Sequence, residues 1–204
     1  MTGLRIAYCG PAAEGQRWME PLRRLGAPLL DTVTEMSYLD VASIYNDPTK
    51  PMATYDRNIL LHAIDSAAVE NIVSIAGPEA DVPIIVELRH LGGAYSRPPA
   101  IANAVGNRDA AFTLFSTSAL EPSRIEIRGV HDLLHQKIGP LSTGGALVNF
   151  LGIEDAHDDG LRNAFAPADY ARLTKLKAAY DPDNMFRINH NIPPLETSGA
   201  PPAP

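Results

Sequence analysis

One cysteine, Cys9, is all the 204-residue sequence contains, so no internal disulfide can form and a metal site built on paired thiolates is excluded. Aromatic residues are only 6%, and no apolar run approaches a membrane span, so no membrane partner is expected. "MTGLRIAYCG" has no long apolar leader core, and the expected location is the cytoplasm. No Lys/Arg run or basic stripe interrupts a net charge of −7, which argues against a nucleic-acid partner and disfavours a polyanionic substrate. The sequence also lacks G-x-G-x-x-G, a P-loop, G-x-S-x-G and C-x-x-C. Dinucleotide cradles, phosphate loops and serine-hydrolase elbows therefore find no support.

What is present is ordinary globular material, 45% hydrophobic and 20% charged, long enough for one substantial domain or two small ones. "LRIAYCG" (Leu4 to Gly10) reads as a short strand ended by Gly10-Pro11. Trp18, Leu22 and Leu25 lie at helical spacing between Ala12 and Leu25, with Gly26 as the C-terminal cap. A second short helix is expected from Thr34, its N-cap, to Tyr45, followed by a proline-bearing loop, "NDPTKPMATYD". Asp65 or Ser66 caps a helix carrying Val69, Ile72, Val73 and Ala76, which Gly77-Pro78 ends. "VPIIVELRH" is the clearest strand, turning polar at Glu87, Arg89 and His90. Ala110 to Ala119 and Gly144 to Gly152 read as further strands, Pro122 to Ile138 as a helix, and a last helix through Tyr170 and Tyr180 closes at Asp181-Pro182. Strands and helices do not alternate strictly, so the expected fold is α+β, an antiparallel or mixed sheet with helices on one face.

"HDLLH" (His131 to His135) spaces two imidazoles one helical turn apart, as in zinc proteases. Asp132 is shorter than the usual Glu, and no third ligand follows at the extended spacing, so the expectation is no metal and two partly exposed His whose joint removal leaves stability unchanged. "LGGAYSR" lets the backbone bulge at Gly92-Gly93, which places Tyr95 and Arg97 on one side of a following strand.

The end of the chain is more specific. "YARLTKLKAAYDPDNMFRINHNIPP" resembles the C-terminal signature of the berberine-bridge-enzyme-like FAD-linked oxidoreductases: R-L-x-x-L-K, then Y-D-P-x-N-x-F-R, then N-x-N-I. Arg172, Leu173, Leu176, Lys177, Tyr180, Asp181, Pro182, Asn184, Phe186, Arg187, Asn189, Asn191 and Ile192 all fit that pattern. "LGGAYSRPPAIANAVGNRDAAFTLF" is similar to the family's G-G-A and A-x-x-x-R strand pair, and "GGALVNFLG" to its Y-V-N-F strand.

The resemblance, over about residues 3 to 194, implies the substrate-side part of such an enzyme. It implies FAD as cofactor, held mainly by an FAD-binding domain or subunit in trans, and a small-molecule substrate. Residues 1–166 would form the substrate-binding domain, 167–194 a helix and return segment that docks on the FAD-binding part, and 195–204 a disordered tail. Phe186 and Ile192 would anchor that segment. Asn149, Asn189 and Asn191 would face the cofactor, and His90, Tyr95 and Arg97 the substrate. Many family members carry Tyr two positions before the Asn of the Y-V-N-F strand. Here Leu147 stands there and cannot exchange a proton, so no catalytic residue is assigned. The alternative reading is a flavin-free small-molecule-binding or interaction domain.

Overall fold

The computed structural model describes residues 3–46, 48–120, 124–155, 158–188 and 190–195. The chain forms two compact units, 1–51 and 52–204. The first holds helix α1 (Ala12–Arg23) and a 3₁₀ segment, Tyr38–Ile44, whose N-cap is Ser37 rather than Thr34: its side chain accepts from the Leu39 N–H. Met19 is the buried residue of α1, while Trp18, Leu22 and Leu25 are exposed. Residues 4–9 do not form the expected strand. A strand needs a ladder partner for its backbone groups, and residues 3–46 provide only helical and turn segments.

The second unit is built on strand β1 (Thr54–Leu61), helix α2 (Ser66–Ala76), strands β2 (Ile85–His90) and β3 (Phe112–Ala119), and helices α3 (Arg124–Ile138), α4 (Asp158–Arg162) and α5 (Pro167–Tyr180). The strands make an open antiparallel sheet in the order β1-β3-β2, which agrees with the α+β expectation. Asp65 caps α2 by accepting from the Ala68 N–H at 2.8 Å. Strand β1 was not expected: Thr54 to Asp56 fall in the stretch read as loop, and Arg57 to Leu61 were assigned to no element. The expected strand at Gly144–Gly152 is instead irregular, with a 3₁₀ turn at Val148–Phe150. Leu141 to Thr143 runs beside β1: Ser142 bridges Leu61, and the Thr143 N–H donates to Leu60 O at 2.9 Å.

Period-two alternation separates the two faces of this sheet. Ile59 and Leu61 of β1, Phe112 and Leu114 of β3 and Val86 of β2 pack on Ala68, Ile72 and Ile75 of α2 and on Leu134 and Ile138 of α3. This is the apolar core, and both helices lie on that one face.

A polar clasp sits at its end. His131 of α3 is fully buried against β3, with Ser116 Oγ at 2.8 Å from Nδ1 and Ser118 Oγ at 3.0 Å from Nε2. The Ser118 hydroxyl donates its proton to Pro83 O at 2.8 Å, so it accepts from Nε2–H, and Nδ1 accepts from Ser116. Tyr55 of β1 meets the imidazole edge-on, with ring centroids 5.0 Å apart. Asp132 turns to Arg57 of β1 at 2.8 Å. The expectation of partly exposed His holds for His135, which is half-buried, and fails for His131 for a simple reason: β3 carries serines opposite α3, which makes an imidazole admissible in the interior. Among the described residues no cluster of three or more His, Cys, Asp or Glu is placed to hold a metal ion.

Burial pushes His131 down to about 4, and burial together with Arg57 pushes His135 to about 3. An unfolded imidazole takes up its proton near pH 6.5, before the folded one does. Stability should therefore be flat above about pH 6.5 and fall as pH drops from there toward about 4. His131→Ala should lower stability by roughly 3 kcal/mol through the orphaned serine and the cavity. It should also flatten the acid limb. Urea melts across this pH range check both, and an unchanged midpoint in the variant would contradict the clasp.

Candidate functional site

Among the described residues no α-helix packs on the other face of the sheet, which the strand register maps in three rows, Leu60 and Thr113 of the third being fully buried. Asp56, Thr117 and Ile85 form the first; Asn58, Phe115 and Glu87 the second; Leu60, Thr113 and Arg89 the third. Neighbours within a row are about 5 Å apart and rows about 7 Å apart. Polar residues on the face away from the core are the ordinary pattern of an antiparallel sheet, so what distinguishes these rows is how their side chains are held.

Each row is ordered by its own bonds. Asp56 Oδ1 accepts from the Thr117 hydroxyl at 2.5 Å and Oδ2 from the Thr54 hydroxyl at 2.9 Å. Asn58 Nδ2 donates to Thr113 Oγ1 at 2.7 Å and Leu114 O at 3.2 Å, while its Oδ1 is shut off from solvent with no donor. Arg89 grips Glu87 with two bonds, 2.6 and 3.1 Å. Its guanidinium also lies 4.8 Å from the ring centre of Phe150, which meets Phe115 edge-on at 5.3 Å. The Val148–Phe150 turn thus lays an aromatic ring against this face and leaves Asn149 exposed beside it. Gly152 follows, so close to β1 that an added Cβ would stand 2.5 Å from Asp56 O.

Asn107 and Arg108 hold the surroundings. Asn107, at φ 55°, donates through Nδ2 to Ala146 O at 2.8 Å and Asn163 O at 2.9 Å, fixing the segment that leads to Asn149. Arg108 donates to Tyr95 O at 2.7 Å and Asn103 Oδ1 at 3.0 Å. The Tyr95 hydroxyl donates to Gly106 O at 3.3 Å, so Tyr95 belongs to a turn rather than to the expected strand. Arg97 is exposed in the same turn, and its side chain does not join the three rows. His90 is stacked on Phe112, on the side of β2 that faces the helices. Of the expected substrate residues, none lies in the rows.

The return segment is tied to its own domain. Asp181 is buried and accepts from the Met185 N–H at 2.8 Å and the Phe186 N–H at 3.1 Å, while Lys177 donates to its Oδ2 at 2.5 Å and to Phe186 O at 2.7 Å. The Lys177 bond, the largest influence, holds the Asp181 carboxyl below the usual range. This knot leaves Met185, Phe186 and Ile188 exposed at 72, 81 and 87%. Further on, His190 Nε2 donates to Leu151 O at 3.0 Å, and the Leu195 N–H to Thr174 O at 3.0 Å. The segment holding Asn191 is therefore fastened two residues from Asn149. Ile192 is half-buried, and Asn191 Oδ1, like Asn184 Oδ1, is sealed without a donor. Asn189 lies outside the described residues, as does the expected tail beyond Leu195.

Residues 157–193 match the family described as berberine and berberine like. An uncharacterized FAD-linked oxidoreductase, YgaK of Bacillus subtilis (strain 168), is 24% identical over 94% of this chain and 43% of its own length. The fold is similar to that of berberine bridge enzyme from Eschscholzia californica, with a TM-score of 0.69 at 17% identity over 91% of this chain and 44% of that one. It is also similar to chitooligosaccharide oxidase, with a TM-score of 0.71 at 19% identity over 92% and 45%. The chain spans under half the length of these relatives.

The knot gives a direct test. Asp181→Ala should accelerate amide exchange at Met185 and Phe186 sharply while leaving Leu195, which bonds to α5 independently, as protected as before. Unchanged exchange at Met185 and Phe186 would show that the carboxylate does not hold the loop.

Proposed function

We propose, from the berberine-like terminus and the fold it shares with FAD-linked oxidoreductases, that this chain forms the substrate side of such an enzyme. The observation that carries the reading is the helix-free sheet face, whose ordered polar and aromatic side chains adjoin a terminal segment that presents exposed apolar residues. A small organic substrate would lie against the first two rows, because Leu60 and Thr113 of the third are fully buried. Met185, Phe186 and Ile188 would bury themselves on an FAD-binding part, because exposed apolar side chains on a braced loop lose little entropy on docking.

The described residues fit one edge of a flavin. Asn191 Oδ1 and Asn184 Oδ1 are acceptors in want of donors, and Asn149 stands exposed nearby in the chain fold. Among the described residues no glycine-rich loop opens a helix, so the pyrophosphate would be held elsewhere. FAD, when bound, would accept hydride from a substrate C–H bond. The part of this chain is to orient the substrate on the rows, keep water from it with Phe115 and Phe150, and take up hydrogen bonds from its polar groups. Leu147 is half-buried and offers no proton acceptor.

A few hydrogen bonds, each about 0.5–1.5 kcal/mol net, do not overcome an association cost of at least roughly 4 kcal/mol. The lone chain should therefore purify colourless and bind FAD no better than weakly, whereas co-expression with an FAD-binding partner should give a yellow complex. Absorbance at the flavin bands checks this. A yellow lone chain with stoichiometric FAD would overturn the division of labour.

A further inference from the structure

We propose that the helix-free face selects a ring-bearing substrate through a hydrogen-bond donor, preferentially a protonated amine, anchored on Asp56. The inference deepens the function proposed above and rests on that face being the substrate side.

Three observations converge on the site. First, Asp56 enters no ion pair among the described residues, although the other carboxylate of the face, Glu87, is neutralised by Arg89. The adjacent cation in sequence, Arg57, points to the helix side and pairs with Asp132. The charge left on the rows is therefore one negative unit, on Asp56. Second, both Asp56 oxygens are oriented by threonine hydroxyls, which donate and so leave the carboxylate with acceptor capacity alone. Third, Phe115 lies directly across from Asn58, and Phe150 stands against it. Acceptors beside an aromatic wall suit a ring carrying N–H or O–H groups. A carboxylate ligand meets acceptors where it needs donors, and the guanidinium that would receive it is already engaged by Glu87.

Matched probes on the full 204-residue chain test the idea: benzylamine, benzyl alcohol and benzoate, followed by NMR titration. Benzylamine should bind about tenfold tighter than benzoate, with benzyl alcohol between, in keeping with one charge-assisted hydrogen bond. The shifted resonances should be those of Thr54, Thr117 and Phe115. Asp56→Asn, nearly isosteric, should erase the preference of amine over alcohol. Benzoate binding as tightly as benzylamine, a response confined to other parts of the chain, or a preference that survives in Asp56→Asn would each overturn the proposal. The selectivity of the unaltered chain is the primary readout, so a variant that failed to fold would not shield it. Flavin retention by the paired protein is a separate measurement, so failure of the donor preference and failure of the substrate-side reading are told apart.

Discussion

Everything on the helix-free face depends on where α3 is held, and the bridge from Ser116 through His131 to Ser118 holds it. Two serines on β3 and one imidazole on α3 form a set of hydrogen bonds that water cannot replace, because His131 is fully buried. An apolar contact would tolerate sliding; this clasp fits one register, and the proton that Ser118 gives to Pro83 O fixes the imidazole tautomer. It commits the even positions of β3 to the helices and thereby the odd ones, Thr113, Phe115 and Thr117, to the opposite side.

On that side the order is made by short local bonds rather than by a second layer of helices. Each polar residue of the rows is held by a neighbour on the sheet: Asp56 by two threonines, Asn58 by Thr113, Arg89 by Glu87. Preorganised groups of this kind lose little freedom when a ligand arrives. Phe150 brings the Leu147–Leu151 segment onto the same face, and His190 carries the terminal segment to Leu151. The fold thus gathers residues far apart in sequence, from Asp56 to Asn191, into one region around the sheet.

Legibility in the sequence followed periodicity. The helices α2, α3 and α5 and the strands β2 and β3 present clean apolar repeats or capping signals, and each was placed within a few residues. Strand β1 was missed because "TYDRNILL" uses both of its faces: Asp56 and Asn58 serve the rows, while Arg57 reaches an acid on α3, so polar residues run together and alternation vanishes. The segment 144–152 looked like a strand because its apolar residues are consecutive, yet Gly144 at φ 76° and the turn at Val148–Phe150 break the extended chain. The site was missed for the same reason as β1. A signal was present in the polar residues two apart, Glu87 and Arg89, within an apolar strand. The burial of His131 had no local signal, since it depends on serines more than ten residues away in sequence. The berberine-like signature was readable from side-chain identities alone, though not the knot by which Asp181 braces it.

The central claim is that this chain meets an FAD-binding part through its terminal segment and its helix-free face. Hydrogen-exchange mass spectrometry, comparing the lone chain with its complex with an FAD-binding partner, measures this most directly. The account predicts new protection at Leu147–Leu151 and Met185–Ile188, with the solvent side of α2 and α3 unchanged. Protection falling on α2 and α3, with Met185–Ile188 exchanging as in the lone chain, would contradict it.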